Sequence, residues 1–260
     1  MTYTEYKDKV KKISNSIKKD KRLITTNRKG HNHRDLNFKT EQHKIDTSKF
    51  NCILGVSDKF IDCEASVSVG QINRTTIPNG KMVPSLPEGD NFTVGGCLVG
   101  LALGSNSYIH GFFNNNVIDF DVILGNGDII TNVSKNKHSD LYYGIGGTYG
   151  TLAIITRVKM KLINCDTYVR IKYFHHNSFK SFYLDFTTKI KEQNNDFIEA
   201  FVNSKNDFTI VCANFIKDVK KEDILVIKDK SILKQRHMCI YAQIANKKES
   251  NILRLVDYLE

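Results

Sequence analysis

The stretch from Leu86 to Phe113, LPEGDNFTVGGCLVGLALGSNSYIHGFF, contains six glycines together with small hydroxyl and amide side chains. Glycine allows the backbone to adopt positive φ angles, and it lets a ligand touch the main chain where a Cβ would block it. Exposed backbone N–H groups in such turns bind anions, and serine, threonine and asparagine add short hydrogen-bonding groups. The stretch therefore predicts a site where the main chain holds a phosphate-bearing cofactor.

Two other interpretations of this stretch are a pair of buried strands and a short membrane-seeking segment. Its uninterrupted apolar part is too short to span a bilayer, which needs about 20 residues. A buried strand pair does not need so many glycines, because each one weakens a strand. We therefore favour the cofactor site.

A second group of glycines lies in Gly144–Gly150, and its context excludes the two common nucleotide-binding motifs. The residues before it, Ser139–Tyr143, predict a short helix with Ser139 as its N-cap. The residues after it, Thr151–Val158, are β-branched and predict a strand. A Rossmann site needs the reverse order of strand, glycines and helix. A P-loop Gly-Lys-Ser/Thr does not occur in the sequence.

Several motifs follow one another in a fixed order through this region. They are Leu86-Pro87-Glu88, Thr93-Val94-Gly95-Gly96, Ser105-Asn106-Ser107-Tyr108 leading to Gly111, Ile123–Gly127, Ser139–Tyr142 and Gly150–Thr156. With these motifs, the segment from Pro87 to Leu162 resembles the FAD-binding domain of the p-cresol methylhydroxylase and vanillyl-alcohol oxidase (PCMH-type) superfamily. Within that superfamily it is most similar to the delta-24-sterol reductases and related FAD-linked oxidoreductases.

The resemblance implies a noncovalently bound FAD, because the sterol-reductase branch does not generally attach its flavin covalently. It also implies a set of residues that contact the cofactor. These are Pro87, Glu88, Thr93, Val94, Gly95, Gly96, Ser105, Asn106, Ser107, Gly150, Thr151 and Ile154.

A basic loop upstream resembles the loop that such proteins wrap around the FAD pyrophosphate. It consists of Arg28, Lys29, Gly30, His31, Asn32 and His33. Its positive charges suit a diphosphate, with charge-assisted hydrogen bonds of about 1.5–3 kcal/mol each. The alternative is a solvated basic turn. Because histidines in this loop bind flavin covalently in some superfamily members, His31 and His33 are the candidates for such a bond.

The resemblance implies hydride transfer through the flavin, with an apolar alkene as the small-molecule substrate and NADPH or NADH as the electron donor. Relatives usually carry Lys or Arg and then Tyr before the motif glycine, whereas this chain has Ile109 and His110. His110 is a candidate acid–base group near neutral pH, and Tyr108 is a second catalytic candidate. For both side chains the alternative is a packing role.

The sequence predicts an α+β fold with two domains. Residues 1–164 form a PCMH-type FAD-binding domain of two subdomains, and residues 165–260 form a partial substrate cap. The cap prediction depends on a βαββ pattern, namely Tyr168–Phe174, Ser178–Glu192, Asp196–Val202 and Asp207–Phe215.

The end of the chain, Ser250–Glu260, is amphipathic and predicts a helix that the chain leaves unfinished. We therefore expect an incomplete cap, with the residues from about Lys221 onward packed least well. An incomplete cap raises an alternative function, a truncated flavin-binding remnant that acts as a binding or interaction protein without turnover.

Composition and charge narrow the remaining functions. The 260 residues are 40% hydrophobic with a mean hydropathy of −0.34, and the N-terminus lacks an apolar signal core, which predicts a cytoplasmic, unsecreted protein without a transmembrane segment. The six cysteines form no CxxC pair and no HExxH motif occurs, so we expect neither a metal nor a disulfide scaffold.

The net charge of +10 lies mostly in residues 1–50, which raises the question of a nucleic-acid or membrane partner. Apolar residues there follow helical spacing at Tyr3, Tyr6, Val10, Ile13 and Ile17, which favours a surface helix packed on the FAD domain. Without a nucleic-acid-binding motif we expect no nucleic-acid partner. Peripheral association with a membrane stays open.

Overall fold

The computed structural model describes residues 3–20, 24–26, 43–225 and 250–259. The helices in these ranges are α1 (Tyr3–Lys19), α2 (Val69–Thr76), α3 (Val94–Gly100), α4 (Ser107–His110), α5 (Ser139–Gly144), α6 (Phe179–Glu192) and α7 (Leu255–Tyr258). The strands are β1 (Ile24–Thr26), β2 (His43–Ile45), β3 (Ile53–Val56), β4 (Phe60–Glu64), β5 (Lys81–Met82), β6 (Val117–Leu124), β7 (Ile129–Val133), β8 (Ala153–Lys161), β9 (Ile163–Asn164), β10 (Tyr168–His176), β11 (Phe197–Ser204), β12 (Asp207–Ile216) and β13 (Ser250–Arg254).

Two antiparallel sheets dominate the described residues and confirm the predicted α+β class. The first sheet has the strand order β3-β4-β8-β6-β7, and the second has the order β11-β12-β10-β13. There are also two separate two-stranded sheets. Strand β1 pairs with β2 in parallel, and β5 pairs with β9 antiparallel. The first sheet falls within the predicted FAD-binding domain and the second within the predicted cap, whose boundary at residue 164 stays a prediction.

The first sheet confirms the local patterns of its sequence. Gly127 adopts φ 86° in the turn that joins β6 to β7, as the Asn-Gly pair predicts. Strand β8 lies at the centre, between β4 and β6. One face packs Val122 and Val158 against residues of α2 and α3 in a large apolar core. The opposite face carries α1.

Helix α1 packs as the amphipathic spacing predicts. Tyr6, Val10 and Ile17 are buried against Phe50 and Ile123, while most of its lysines face solvent. The Tyr6 hydroxyl donates to Asp121 at 2.9 Å, and burial raises the pKa of this phenol well above its usual range. The phenol therefore stays protonated as a donor, which fixes α1 on the sheet.

A buried arginine lies beneath α1. The Arg157 guanidinium on β8 contacts three carboxylates, with nitrogen–oxygen distances of 2.7 Å to Asp62, 2.7 Å to Asp119 and 3.2 Å to Asp121. Burial by itself would lower the pKa of this guanidinium, but the hydrogen bonds and charges of the carboxylates together raise it. The arginine thus holds strands β4, β6 and β8 together on the face that α1 covers.

The second sheet confirms the predicted βαββ unit and corrects the end of the chain. The helix expected over Ser250–Glu260 is wrong, because Ser250–Arg254 is a strand that pairs antiparallel with β10 and only Leu255–Tyr258 is helical. Without β13, the backbone N–H and C=O groups along this edge of β10 would have no strand partner, and a helix could not pair with them. Because Leu253 and Leu255 are fully buried, the expected poor packing is also wrong for 250–259. Residues 226–249 lie outside the described residues.

The predicted N-cap of α5 needs a second correction. Helix α5 begins at Ser139, and His138 occupies the N-cap position with a left-handed φ of 55°. The side chain of His138 makes no capping hydrogen bond. Ser139 is therefore the first helical residue, because the chain turns sharply into the helix one residue earlier than the sequence pattern indicates.

Membrane-spanning helices, metal sites and disulfides are absent from the described ranges. Within them, no helix has the length and apolar character needed to cross a membrane. The same ranges hold no group of three His, Cys, Asp or Glu residues suited to a metal ion. The five cysteines that they include are free thiols.

Replacing the buried arginine tests how strongly it supports the fold. Arg157→Met leaves three neighbouring carboxylates without their cation, so we expect a loss of about 3–5 kcal/mol in the free energy of unfolding. Lys161→Met, at the exposed end of the same strand, is the control and changes stability little. Urea unfolding at pH 7 measures both. A loss no larger than that of the control would contradict the structural role of Arg157.

Candidate functional site

The first motif glycines begin helix α3, and the two adjacent positions differ in role. Thr93 is the N-cap, and its hydroxyl accepts a hydrogen bond from the Gly96 N–H at 3.2 Å. Gly95 is buried, and a Cβ there would lie 3.0 Å from the Ala65 side chain. Gly96 is exposed and would meet only the Thr93 hydroxyl. The absence of a side chain therefore serves packing at Gly95 and leaves the surface open at Gly96.

The two glycine clusters, far apart in sequence, meet in space. The Tyr149 N–H donates to the Val99 carbonyl at 3.1 Å, which ties the turn before β8 to the end of α3. Gly146 and Gly147 face the side chain of Leu101. At Gly150, with φ 81°, a Cβ would meet nothing within 4 Å. The backbone on this side of the molecule is accordingly open to a ligand.

Exposed apolar side chains border these glycine turns. Leu103 is 57% exposed and Tyr149 is 56% exposed, and Leu101 and Leu152 are also exposed. None of these four residues belongs to the site predicted from the sequence. The signal that marks them is a large apolar side chain inside a glycine-rich turn.

Loop 104–107 is shaped by contacts within the protein. A Cβ on Gly104 would overlap the Leu86 carbonyl, so only glycine permits this approach of two backbone segments. The Glu88 carboxylate accepts from the Ser105 N–H at 2.9 Å and from its hydroxyl at 2.7 Å. The buried Asn106 side chain accepts from the Ser85 N–H at 3.0 Å. These motif side chains therefore set the loop conformation.

Ser107 completes this loop by a local hydrogen bond. Its hydroxyl accepts from the Gly104 N–H at 2.9 Å. Ser107 also begins α4, the short helix that carries both catalytic candidates. The loop and α4 are therefore one continuous unit whose position depends on Gly104.

The second sheet holds the same loops from the other side. The Ile198 N–H on β11 donates to the Ser105 carbonyl at 2.8 Å, and the Tyr258 hydroxyl lies 3.4 Å from the Ser105 hydroxyl. The Gly89 N–H donates to the Leu259 carbonyl at 2.9 Å. No sequence motif indicates these contacts, since their partners lie far from the motifs in the chain. The predicted cap thus helps to position the predicted cofactor loops.

The two catalytic candidates lie in α4 with different surroundings. The Tyr108 hydroxyl donates to the Asn195 carbonyl, and its ring packs with the apolar cluster beneath α6. Burial raises the pKa of Tyr108, so this phenol stays protonated. Burial lowers the pKa of His110, against a smaller opposing effect of Asp196. A neutral imidazole at pH 7 is therefore available at the end of α4.

The other predicted cofactor residues are placed as follows. Val94 is fully buried and donates from its N–H to the Val67 carbonyl at 3.0 Å. Pro87 is half-buried, Thr151 is exposed, and Ile154 packs towards the cluster beneath α1. The basic loop, Arg28, Lys29, Gly30, His31, Asn32 and His33, lies outside the described residues.

The residues at this site fit FAD. Open backbone at Gly96 and Gly150 suits a polar ligand held by the main chain, and the exposed apolar side chains suit an aromatic ring system. The buried Oδ1 atom of Asn114, beside Gly146, has no hydrogen-bond partner among the described residues. The Cys97 thiol in α3 has its pKa raised to about 12 by burial, so it is not a nucleophile here.

Comparison with known proteins identifies the same cofactor. The family described as "FAD binding domain" matches residues 3–132, which is half of the chain. The delta(24)-sterol reductase of Pisum sativum is 31% identical over 179 residues, covering 65% of this chain and 32% of that protein.

Two further relatives extend the comparison. The delta(24)-sterol reductase homolog dhcr-24 of Caenorhabditis elegans is 26% identical over 236 residues, covering 85% of this chain and 45% of that protein. Cytokinin dehydrogenase 2 of Arabidopsis thaliana is 28% identical over 158 residues, covering 61% of this chain and 29% of that protein. The chain spans less than half the length of these curated relatives. With its family match across half of its length, the chain belongs to the FAD-binding domain family.

Proposed function

We propose that the chain binds FAD noncovalently and acts in an oxidoreductase that reduces a carbon–carbon double bond of an apolar, sterol-like small molecule. The electron donor in this proposal is NADPH or NADH. The single observation that carries the proposal is the meeting of the two glycine clusters at one open surface, where Tyr149 contacts Val99. The similarity to sterol reductases supports the substrate class.

The residues that would hold the cofactor form two groups, those that contact FAD and those that hold the loops in place. We expect the exposed backbone at Gly96, Gly150 and Thr151 to contact FAD, and the basic loop around Arg28 and Lys29 to supply positive charge for its pyrophosphate. Glu88, Ser105, Asn106 and Ser107 act by holding the loops in place. When bound, FAD supplies hydride-transfer chemistry.

His110 is the residue that we assign to proton transfer. Reduction of an alkene adds a hydride and a proton, and His110 would donate the proton from its imidazolium form, which its lowered pKa makes the minor form at pH 7. Tyr108 is less available, because its hydroxyl already donates to the Asn195 carbonyl. We therefore assign Tyr108 to positioning of α4. The assignment makes His110 the catalytic residue to test first.

Flavin retention tests the glycine surface. Gly96→Val places a side chain on the exposed surface, so we expect loss of bound FAD with the fold largely intact. Gly55→Val, at a strand position where a Cβ meets nothing within 4 Å, is the matched control and keeps its flavin. FAD at one hundred times its dissociation constant should stabilise the wild type by about 2.7 kcal/mol and Gly96→Val hardly at all. Wild-type flavin content in Gly96→Val would remove this surface from the site.

The basic loop is tested with two ligands. Arg28→Gln with Lys29→Gln should weaken FAD far more than riboflavin, because riboflavin has no phosphate for these charges to contact. Equal weakening of both ligands would show that the loop supports the fold instead. Acid denaturation should release the flavin. Colour that stays with the denatured chain would contradict noncovalent binding and indicate His31 or His33.

Turnover tests the reaction. Yellow protein should bleach under NADPH or NADH and recover its colour when an apolar alkene such as a side-chain-unsaturated sterol is added. His110→Gln should retain flavin and bleaching but lose most of the alkene-dependent recovery. Flavin that no nicotinamide reduces would instead identify a remnant without turnover, and colourless protein that cannot be reconstituted would exclude FAD binding.

A further inference from the structure

Helix α6 leaves an aromatic surface uncovered. Of its fourteen residues only Phe182 is buried, where it packs on the second sheet. Phe179 is 62% exposed, Tyr183 is 54% exposed and Leu184 is 56% exposed. The Phe179 and Tyr183 rings stack at 5.9 Å on the solvent side. An exposed group of this size, with two stacked aromatic rings, marks an interaction surface.

The second sheet extends this surface at one end. Val202, which is 68% exposed, lies directly across from Phe208 in the pair formed by β11 and β12. The Phe208 ring lies 6.1 Å from the Phe179 ring. Directly paired residues share one face of a sheet, so Val202 and Phe179 belong to the same surface. We call Phe179, Tyr183, Leu184 and Val202 the α6 surface.

Lysines accompany the aromatic side chains on the outer half of α6. With 100° per residue, Lys180 and Lys191 project from the sector that lies between Phe179 and Leu184. That sector holds no carboxylate. Asp185 and Glu192 lie outside it, and Asp185 contacts His176 and Lys189. The outer half of the helix is therefore apolar and cationic.

The positive charge of this sector favours an anionic bilayer over a second copy of the chain as its partner. A second copy of the chain docked by twofold symmetry would bring the lysines of both copies together without an acidic partner. A stable protein interface also needs about 20–30 residues a side, several times the number found here. An anionic bilayer complements both features, since lysine and aromatic side chains on one helical face bind at the lipid–water interface.

We propose that the α6 surface docks the protein peripherally on a lipid bilayer that carries anionic headgroups. The helix is about 20 Å long at 1.5 Å per residue. Phe179, Tyr183 and Leu184 lie in its N-terminal half, and its C-terminal end leads to Asn195, which contacts Tyr108 beside the cofactor loops. The proposal does not depend on catalysis.

Vesicle binding tests the apolar part of the proposal. The protein should bind vesicles of phosphatidylcholine with phosphatidylserine, and bind pure phosphatidylcholine weakly. Tyr183→Ser with Leu184→Ser should abolish binding, whereas Val56→Ser with Ile129→Ser, at exposed apolar positions elsewhere, should leave it unchanged. Retained FAD binding and an unchanged melting temperature show that the variants are folded.

The lysines are tested separately. Lys180→Gln with Lys191→Gln should weaken binding to the anionic vesicles roughly twenty-five-fold, about fivefold for each charge. Lys135→Gln with Lys137→Gln removes equal charge from exposed positions on another turn and should have a much smaller effect. Absence of wild-type binding to anionic vesicles, or equal binding by all variants, overturns the proposal. A wild-type dimer that the Tyr183 and Leu184 changes dissociate would identify a second copy as the partner.

Discussion

The candidate site depends on the close approach of two backbone segments, at Gly104 and Leu86. Any side chain at position 104 would overlap the Leu86 carbonyl, so the contact exists only with glycine. Because the segments touch, Glu88 reaches Ser105 and Asn106 reaches Ser85. The second sheet then attaches to the same loop through Ile198. The absence of a Cβ at Gly104 thus permits a contact between two backbone segments that both sheets share.

The first sheet depends on charge balance beneath α1. Arg157 lies among three carboxylates in a place from which water is largely excluded, so the charges stabilise one another. The buried Tyr6 hydroxyl adds a donor from α1 to Asp121. The strands that support the glycine turns therefore keep their register through polar contacts on one face and apolar packing on the other.

Local sequence patterns predicted most elements correctly where the cause of the structure was itself local. The Gly125-Asn126-Gly127 turn, the βαββ unit and the amphipathic α1 all appear as predicted. The predicted elements are wrong where a partner distant in the sequence determines the local structure. Ile252, Leu253 and Val256 fit a helical stripe, yet the open edge of β10 takes Ser250–Arg254 as a strand. At α5 the left-handed His138, and not Ser139, takes the N-cap position, and no local signal in the sequence marks this conformation.

The sequence by itself determined the cofactor class, because the order of glycine motifs is a property of the chain that needs no coordinates. It also determined which segments form turns, since glycine acts through its own backbone. Only the tertiary structure separated Gly95, which packs on Ala65, from Gly96, which is open to solvent. It alone brought Tyr149 to Val99 and Tyr258 to Ser105. Such contacts join residues that are distant in the chain, and their distances follow from how the sheets pack, which local spacing does not encode.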